Sequence, residues 1–249
     1  MQPRPVAAAA SVAPVLLRPR RLATVAAVTA QAVYLRTDDP ACPAVCLTTP
    51  SAVRVPCALV LGHGAPPSGV RIGDTGSVGG GELTLGGITY RPSRWWRPAR
   101  PRAIGRLPAT HPPPLDPGTS AAVTRLAGAL AAGAPLAGPV AALLGRGPGL
   151  TPLGDDVLAG ALVALIATGS PAGPALAAEV MRTAFRRTVF VSAVLLWHAA
   201  RGECVPQLAA LLTGVPGAAD SLLRVGHTSG TGLAHGVRAV STISREVTA

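Results

Sequence analysis

The apolar residues of this chain change their spacing once, and that change constrains the fold more than any other feature. From about residue 26 to 96 they recur at alternate positions: Val33 and Leu35, Val45 and Leu47, Val53 and Val55, Leu59 and Leu61, Val70 and Ile72, Leu83 and Leu85, Ile88 and Tyr90. Gly, Pro, Asp or Ser interrupts each short run, as strands joined by turns require. After Thr119 the spacing becomes helical. Val123, Leu126 and Leu130 share one face, as do Leu176, Val180, Ala184 and Thr188. Glycines 133, 145, 169, 202, 214 and 226 stand where such helices would end, which predicts about seven short helices. Between the two patterns, Arg97 to Gly118 carries prolines 98, 101, 108, 112, 113, 114 and 117, so neither a helix nor a central strand persists there. The expected fold is α+β. It comprises a disordered leader over 1–20, a β domain over 21–96 forming a small antiparallel sandwich or partial barrel, a Pro/Arg-rich linker over 97–118 and a multi-helix domain over 119–249.

At 249 residues the chain can bury a substantial core. Its formal charge is +11, yet all 22 cations are Arg and none is Lys. Arg without Lys, beside abundant Ala, Gly and Pro, reads as coding bias more than as a nucleic-acid footprint. Aromatic residues make up only 3%, too few to stack on bases, so no nucleic-acid partner is expected. Six arginines from Arg91 to Arg106 surround Trp95 and Trp96; the expectation is a solvated basic loop held on the β unit by its Trp residues. Cys42, Cys46, Cys57 and Cys204 form no CxxC pair and have no His at zinc spacing, which points to buried free thiols.

The apolar stretches 157–171 and 188–197 fall short of the ~20 residues that cross a bilayer, so no membrane span is expected. Arg20-Arg21 before the apolar Leu22 to Val33 superficially resembles a twin-arginine export signal. The apolar segment, however, continues without a break into Val33-Tyr34-Leu35, which reads as the first strand of the fold. A cytoplasmic location follows.

Two loops carry the chemistry. Gly145-Arg146-Gly147-Pro148-Gly149-Leu150-Thr151-Pro152-Leu153-Gly154-Asp155-Asp156 runs directly into an apolar helix. Its glycines and prolines fix an unusual path and bare N–H groups where a helix start adds its positive end, suiting a phosphate or carboxylate. Asp155 and Asp156 are adjacent acids at that start. They could hold Mg2+, act as acid and base, or simply cap the helix. Two acids beside an anion would need a metal or a proton between them. The second loop, Gly226-His227-Thr228-Ser229-Gly230-Thr231-Gly232, offers an imidazole, three hydroxyls and backbone donors before another helix. It is not a nucleophile elbow; His227 suits proton transfer or oxyanion donation. His198 reads as a helix-face residue rather than a ligand.

GPGLTPLGDD at 147–156, the helix bearing Thr188, Ser192, Leu195, Leu196, Ala199, Ala200 and Gly202, and GHTSG at 226–230 together resemble the AllH-type proteins, over roughly residues 21 to 246. That resemblance implies a subunit of an oxamate carbamoyltransferase, acting on carbamoyl phosphate, oxamate and oxalurate with FdrA-like and AllG-like partner subunits. The expected site lies between the two Gly-rich helix starts, with catalytic roles for Asp155, Asp156 and His227, the acid pair placing Mg2+ or orienting the attacking nitrogen. Gly147, Gly149, Thr151, Thr228, Ser229 and Gly230 would bind the substrate anion. The alternative is a non-catalytic anion-binding or subunit-docking protein.

Overall fold

The structure is a computed structural model that describes residues 2–105 and 111–241; part of the expected linker and the last eight residues lie outside the described residues. It divides into two compact units, 1–98 and 99–249.

The first unit is an eight-stranded closed barrel. Its strands are β1 (Arg4–Ala9), β2 (Arg21–Val28), β3 (Ala32–Arg36), β4 (Ala44–Thr48), β5 (Ala58–Leu61), β6 (Thr75–Gly79), β7 (Glu82–Leu85) and β8 (Ile88–Trp96). Around the barrel they run β1-β5-β4-β3-β2-β6-β7-β8, and β8 returns to β1. Most neighbours are antiparallel, but β1 with β8 and β4 with β5 are parallel, so the barrel is mixed and complete where an antiparallel sandwich or partial barrel was expected. Ala8, Val25, Leu35, Leu47, Leu59, Leu83 and Tyr90 are fully buried and supply the core.

Four expectations change here. Residues 4–9, expected in a disordered leader, form β1, which pairs with β5 on one side and β8 on the other. Alanines have weak strand preference and show no alternation, because this strand buries four consecutive residues. A short 3-10 turn (Ala10–Val12) and a one-turn helix α1 (Ala13–Leu16) follow, burying Val12, Val15 and Leu16. The segment Leu22 to Val33 is a hairpin, β2 to β3, turned at Thr29, whose backbone N–H donates to the Ala32 carbonyl. Arg91 to Trp96 is the second half of β8 rather than a loop: Ala7 pairs with Arg94, Ala8 with Trp95 and Ala9 with Trp96. No strand forms at Val53–Val55 or Val70–Ile72.

The second unit is helical: α2 (Pro117–Ala131), α3 (Ala137–Leu143), α4 (Leu153–Ala167), α5 (Ala172–Arg187), α6 (Phe190–Ala199), α7 (Pro206–Leu212), α8 (Ala218–Leu223) and α9 (Ser229–Ser241). Eight helices among the described residues of this unit replace the expected seven. All six glycines foreseen at helix ends adopt positive φ, between 60° and 77°. Helix α2 starts where proline permits: Pro117 occupies its first turn and the Asp116 carboxylate accepts from the Thr119 N–H at 3.0 Å. Helix α4 is apolar on every side and buries nearly all of its residues, so it is the central helix around which the others are arranged. Helix α9 lies against it at unusually close range. A Cβ built on Gly160 would sit 2.2 Å from the Leu233 carbonyl oxygen, and one on Gly236 2.1 Å from that of Val157. Only glycine fits where two backbones touch this way.

Candidate functional site at the start of the central helix

The close crossing of α4 and α9 decides which loops meet. Both helices begin at the same end of their contact, so the loop before α4 and the turn before α9 come together. The side-chain oxygens of Thr151 and Ser229 are 2.8 Å apart. Gly232, one turn into α9, faces Asp156: a Cβ there would lie 2.6 Å from the Asp156 Cβ.

Asp155 and Asp156 are neighbours in sequence, but successive helical positions point about 100° apart and their environments differ completely. Asp155 is buried, and both of its oxygens are occupied. Oδ1 accepts from the Gly145 N–H at 2.7 Å; Oδ2 accepts from the Ser192 hydroxyl at 2.7 Å and from the Thr188 hydroxyl. Gly145 sits with positive φ against the Arg187 carbonyl, Thr188 ends α5 and Ser192 lies in the first turn of α6. One carboxyl therefore ties the α3–α4 loop, the α5–α6 junction and the central helix together. Burial raises its pKa, and the three hydrogen bonds work against that rise.

Asp156 is only 7% exposed and faces α9. Its Oδ2 is buried without a hydrogen-bond partner among the described residues. Burial pushes its pKa up to about 8; the Asp155 charge adds to the rise, while the hydroxyls of Ser229 and Thr151 oppose it. At neutral pH this carboxyl is mostly protonated.

The remaining predicted residues form the rim. Gly147 and Gly149 are exposed and take positive φ, and Thr151 is half-buried. The N–H groups of Gly147, Gly149, Leu150 and Thr151 donate to no backbone carbonyl among the described residues. His227 and Thr228 are exposed in the turn before α9, and Ser229 is half-buried at its first position. Gly230 is different. Its N–H is taken by the Val225 carbonyl, and its missing side chain lets the Leu222 backbone approach, so it shapes the turn rather than donating outward. The N–H groups of Gly154, Asp155 and Asp156 are likewise satisfied, by Arg146 and Pro152 carbonyls.

The acid pair does not make a cation site. Asp155 spends both oxygens on internal donors and Asp156 lies buried against α9, so the pair offers Mg2+ no open set of hard oxygens. Among the described residues no cluster of three or more His, Cys, Asp or Glu has metal-binding geometry. His198 is buried in α6 with Nδ1 2.7 Å from a Glu203 oxygen.

With this geometry in view, the comparison with protein families is specific. Residues 143–241 match the family described as oxamate carbamoyltransferase subunit AllH. The match begins at the last residue of α3 and runs to the last residue of α9, so it contains both loops, both acids and every hydroxyl described above. The barrel lies outside it, which narrows the span that the sequence resemblance suggested. Comparison with curated proteins and with solved structures gives no match. No helix among the described residues is long and apolar enough to cross a membrane. The hydroxyls of Thr188 and Ser192 are the site's main addition to the sequence reading: the motif quoted them, but only the fold joins them to Asp155.

Proposed function

We propose that this chain is the AllH-type subunit of a carbamoyltransferase and binds a small anionic substrate of the carbamoyl phosphate or oxamate kind at the mouth formed by residues 147–151 and 227–229. The observation that carries this reading is the Thr151–Ser229 contact beside the buried Asp156, whose pKa burial pushes up. A protonated carboxyl removes the charge conflict that two acids would create beside an anion. The N–H groups of the 147–151 loop and the Thr228 and Ser229 hydroxyls supply neutral donors, and two helix starts add their positive ends.

Transfer forms a C–N bond between the acceptor's amide nitrogen and the carbamoyl carbon and breaks the C–O bond to phosphate. Negative charge grows on the carbonyl oxygen during attack, and fixed donors at the mouth stabilise it. The nitrogen releases one proton, which exposed His227 accepts at the rim while the phosphate leaves with the electron pair of the broken bond. Asp155 serves as a positioning residue, holding the loop through Gly145. FdrA-like and AllG-like subunits would complete the assembly in the cytoplasm.

A docking role is the second reading, favoured by Leu150, which is 42% exposed at the tip of the same loop. Calorimetry on the isolated chain separates the two. Heat on adding carbamoyl phosphate or oxamate supports a substrate site, whereas silence until partner subunits are added supports docking.

A further inference from the structure

Independently of the anion site, we infer that the barrel carries a docking surface for an acidic protein partner, built where residues 17–22 cross the β6–β7 turn. The Leu16 and Arg18 carbonyls accept from the Gly81 and Gly80 N–H groups, and a Cβ on Gly79 would lie 2.7 Å from the Arg20 Cα, so the segment is pressed against that turn. Every residue from 17 to 22 is exposed, with Leu17 at 66% and Leu22 at 74%. Leu83 and Tyr90 are fully buried, so strand alternation turns Glu82, Thr84, Thr89 and Arg91 outward. Register sets Leu22, Ser77, Thr84 and Thr89 side by side across β2, β6, β7 and β8. Glu82 and Arg91 follow on the same face and form an ion pair.

Four arginines stand over two acids here. Arg18 donates to Asp39 Oδ2 at 2.6 Å, and the Arg21 guanidinium lies 4.0 Å from the same oxygen. Arg20 donates to Glu82 Oε2 at 2.7 Å, while Arg91 donates to Oε1. The two acid side chains are 1% and 12% exposed, the four arginines 50% to 62%. The carboxylates therefore act from beneath as anchors. A guanidinium has five N–H groups, of which Arg18 and Arg20 each spend one on a carboxylate and Arg91 two. Solvent meets a positive layer whose forks are already held in place, and that lowers the ordering cost of pairing with further carboxylates.

The pattern selects a protein over other polyanions. A phosphate backbone or an anionic lipid surface is negative throughout, whereas Glu82 stands between Arg20 and Arg91 and breaks the positive row. Single-stranded nucleic acid also seeks aromatic faces, and the outward residues of this surface include none. Two leucines are too few to seat the barrel in a lipid interface. Apolar side chains set among arginines do match the composition of protein interfaces. The complementary surface carries carboxylates around an apolar side chain.

The test adds a random Glu/Leu copolymer, or poly-Glu of the same length, to the full chain at physiological ionic strength and follows binding by calorimetry. The copolymer should bind, and Arg20→Gln with Arg91→Gln should weaken it about tenfold. Arg54→Gln with Arg71→Gln removes the same charge from other connections of the barrel and should change affinity by less than about twofold. Leu17→Ser with Leu22→Ser should weaken the copolymer about fivefold and leave poly-Glu unaffected. The proposal is overturned if the copolymer does not bind, if both arginine pairs weaken it equally, or if the leucine pair changes nothing. Tighter binding of phosphatidylglycerol vesicles or of single-stranded RNA than of the copolymer also overturns it, and assigns the surface to lipid or nucleic acid instead. The substitutions fall on exposed side chains, whose ion pairs add little stability, and circular dichroism checks that each variant is folded.

Discussion

The Ser192 hydroxyl reaches Asp155 Oδ2 at 2.7 Å across thirty-seven residues of chain, and with Thr188 on the same oxygen it makes Asp155 the fixed point of the helical unit. Removing a buried acceptor leaves its donors without partners, and that costs more than the hydrogen bonds themselves contribute. Asp155→Ala is expected to lower stability by about 3 to 5 kcal/mol, and Ser192→Ala by about 1 to 2 kcal/mol. Urea unfolding of both variants and the double variant checks this. In the double variant most of the Ser192 cost should vanish, because its partner is already gone.

Asp156 makes stability depend on pH in the direction opposite to an ion-paired acid. Its folded pKa, about 8, lies above the ordinary 3.8, so the folded state holds a proton that the unfolded state has lost. Stability therefore falls as pH rises from about 4 to about 8 and levels off above that. Moving a carboxyl that far corresponds to an upper limit on the order of 6 kcal/mol. Asp156→Asn should flatten this slope and be more stable than wild type at pH 9. Thermal melts across the range measure it; a wild-type curve as flat as the variant's would place the Asp156 pKa near its ordinary value.

The same substitution separates folding from chemistry. Asp156→Asn keeps shape and hydrogen-bond donation but cannot take up or release a proton. In the complete assembly with partner subunits it should keep kcat within about tenfold, whereas His227→Ala, which removes the proposed proton acceptor, should lose at least ~100-fold. Circular dichroism should show the fold intact. Full turnover in His227→Ala would remove His227 from the mechanism.

Gly236→Ala tests the helix crossing. The added methyl would lie 2.1 Å from the Val157 carbonyl oxygen, and backbone cannot yield as a flexible side chain can. Overpacking of this kind commonly costs about 1 to 3 kcal/mol, and here it should exceed that range. Anion binding should weaken along with stability, because separating α9 from α4 parts Ser229 from Thr151. Alanine at Gly128, inside α2 with nothing within 4 Å, is the control that should leave anion binding unchanged and raise stability by about 0.5 to 1 kcal/mol.

Deleting residues 1–12 should open the barrel. Without β1 the facing edges of β5 and β8 lose their common partner, and unpaired edges invite aggregation. Solubility and near-ultraviolet circular dichroism of the truncated chain report the loss.

The helical half was legible because its signals are local: glycine after each apolar run marked helix ends, and the two Gly-rich loops announced themselves by composition. Their meeting was expected from the sequence, and Thr151 and Ser229 are in contact. The crossing that causes it is carried by Gly160, Gly232 and Gly236, small residues at helical spacing that could have been read as a close-contact face. The contrast between Asp155 and Asp156 was not legible, since it depends on donors from α5, α6 and α9. In the barrel, alternation revealed most strands but concealed β1, an alanine run defined only by its two neighbours. Alternation also suggested strands at Val53–Val55 and Val70–Ile72, where none forms. The basic end of β8 read as a loop because its arginines face solvent while its backbone pairs with β1.

The register that joins Arg4 to Tyr90 sets an order of events at the ribosome. Strand β1 emerges well before β8 and cannot find that neighbour until almost the whole first unit has been synthesised. A contact between such distant points is slow to form, and the nascent alanine-rich strand must wait without aggregating in the meantime. Its short length, its proline and the arginine at its head make that wait tolerable, for they make it a poor template for stray pairing.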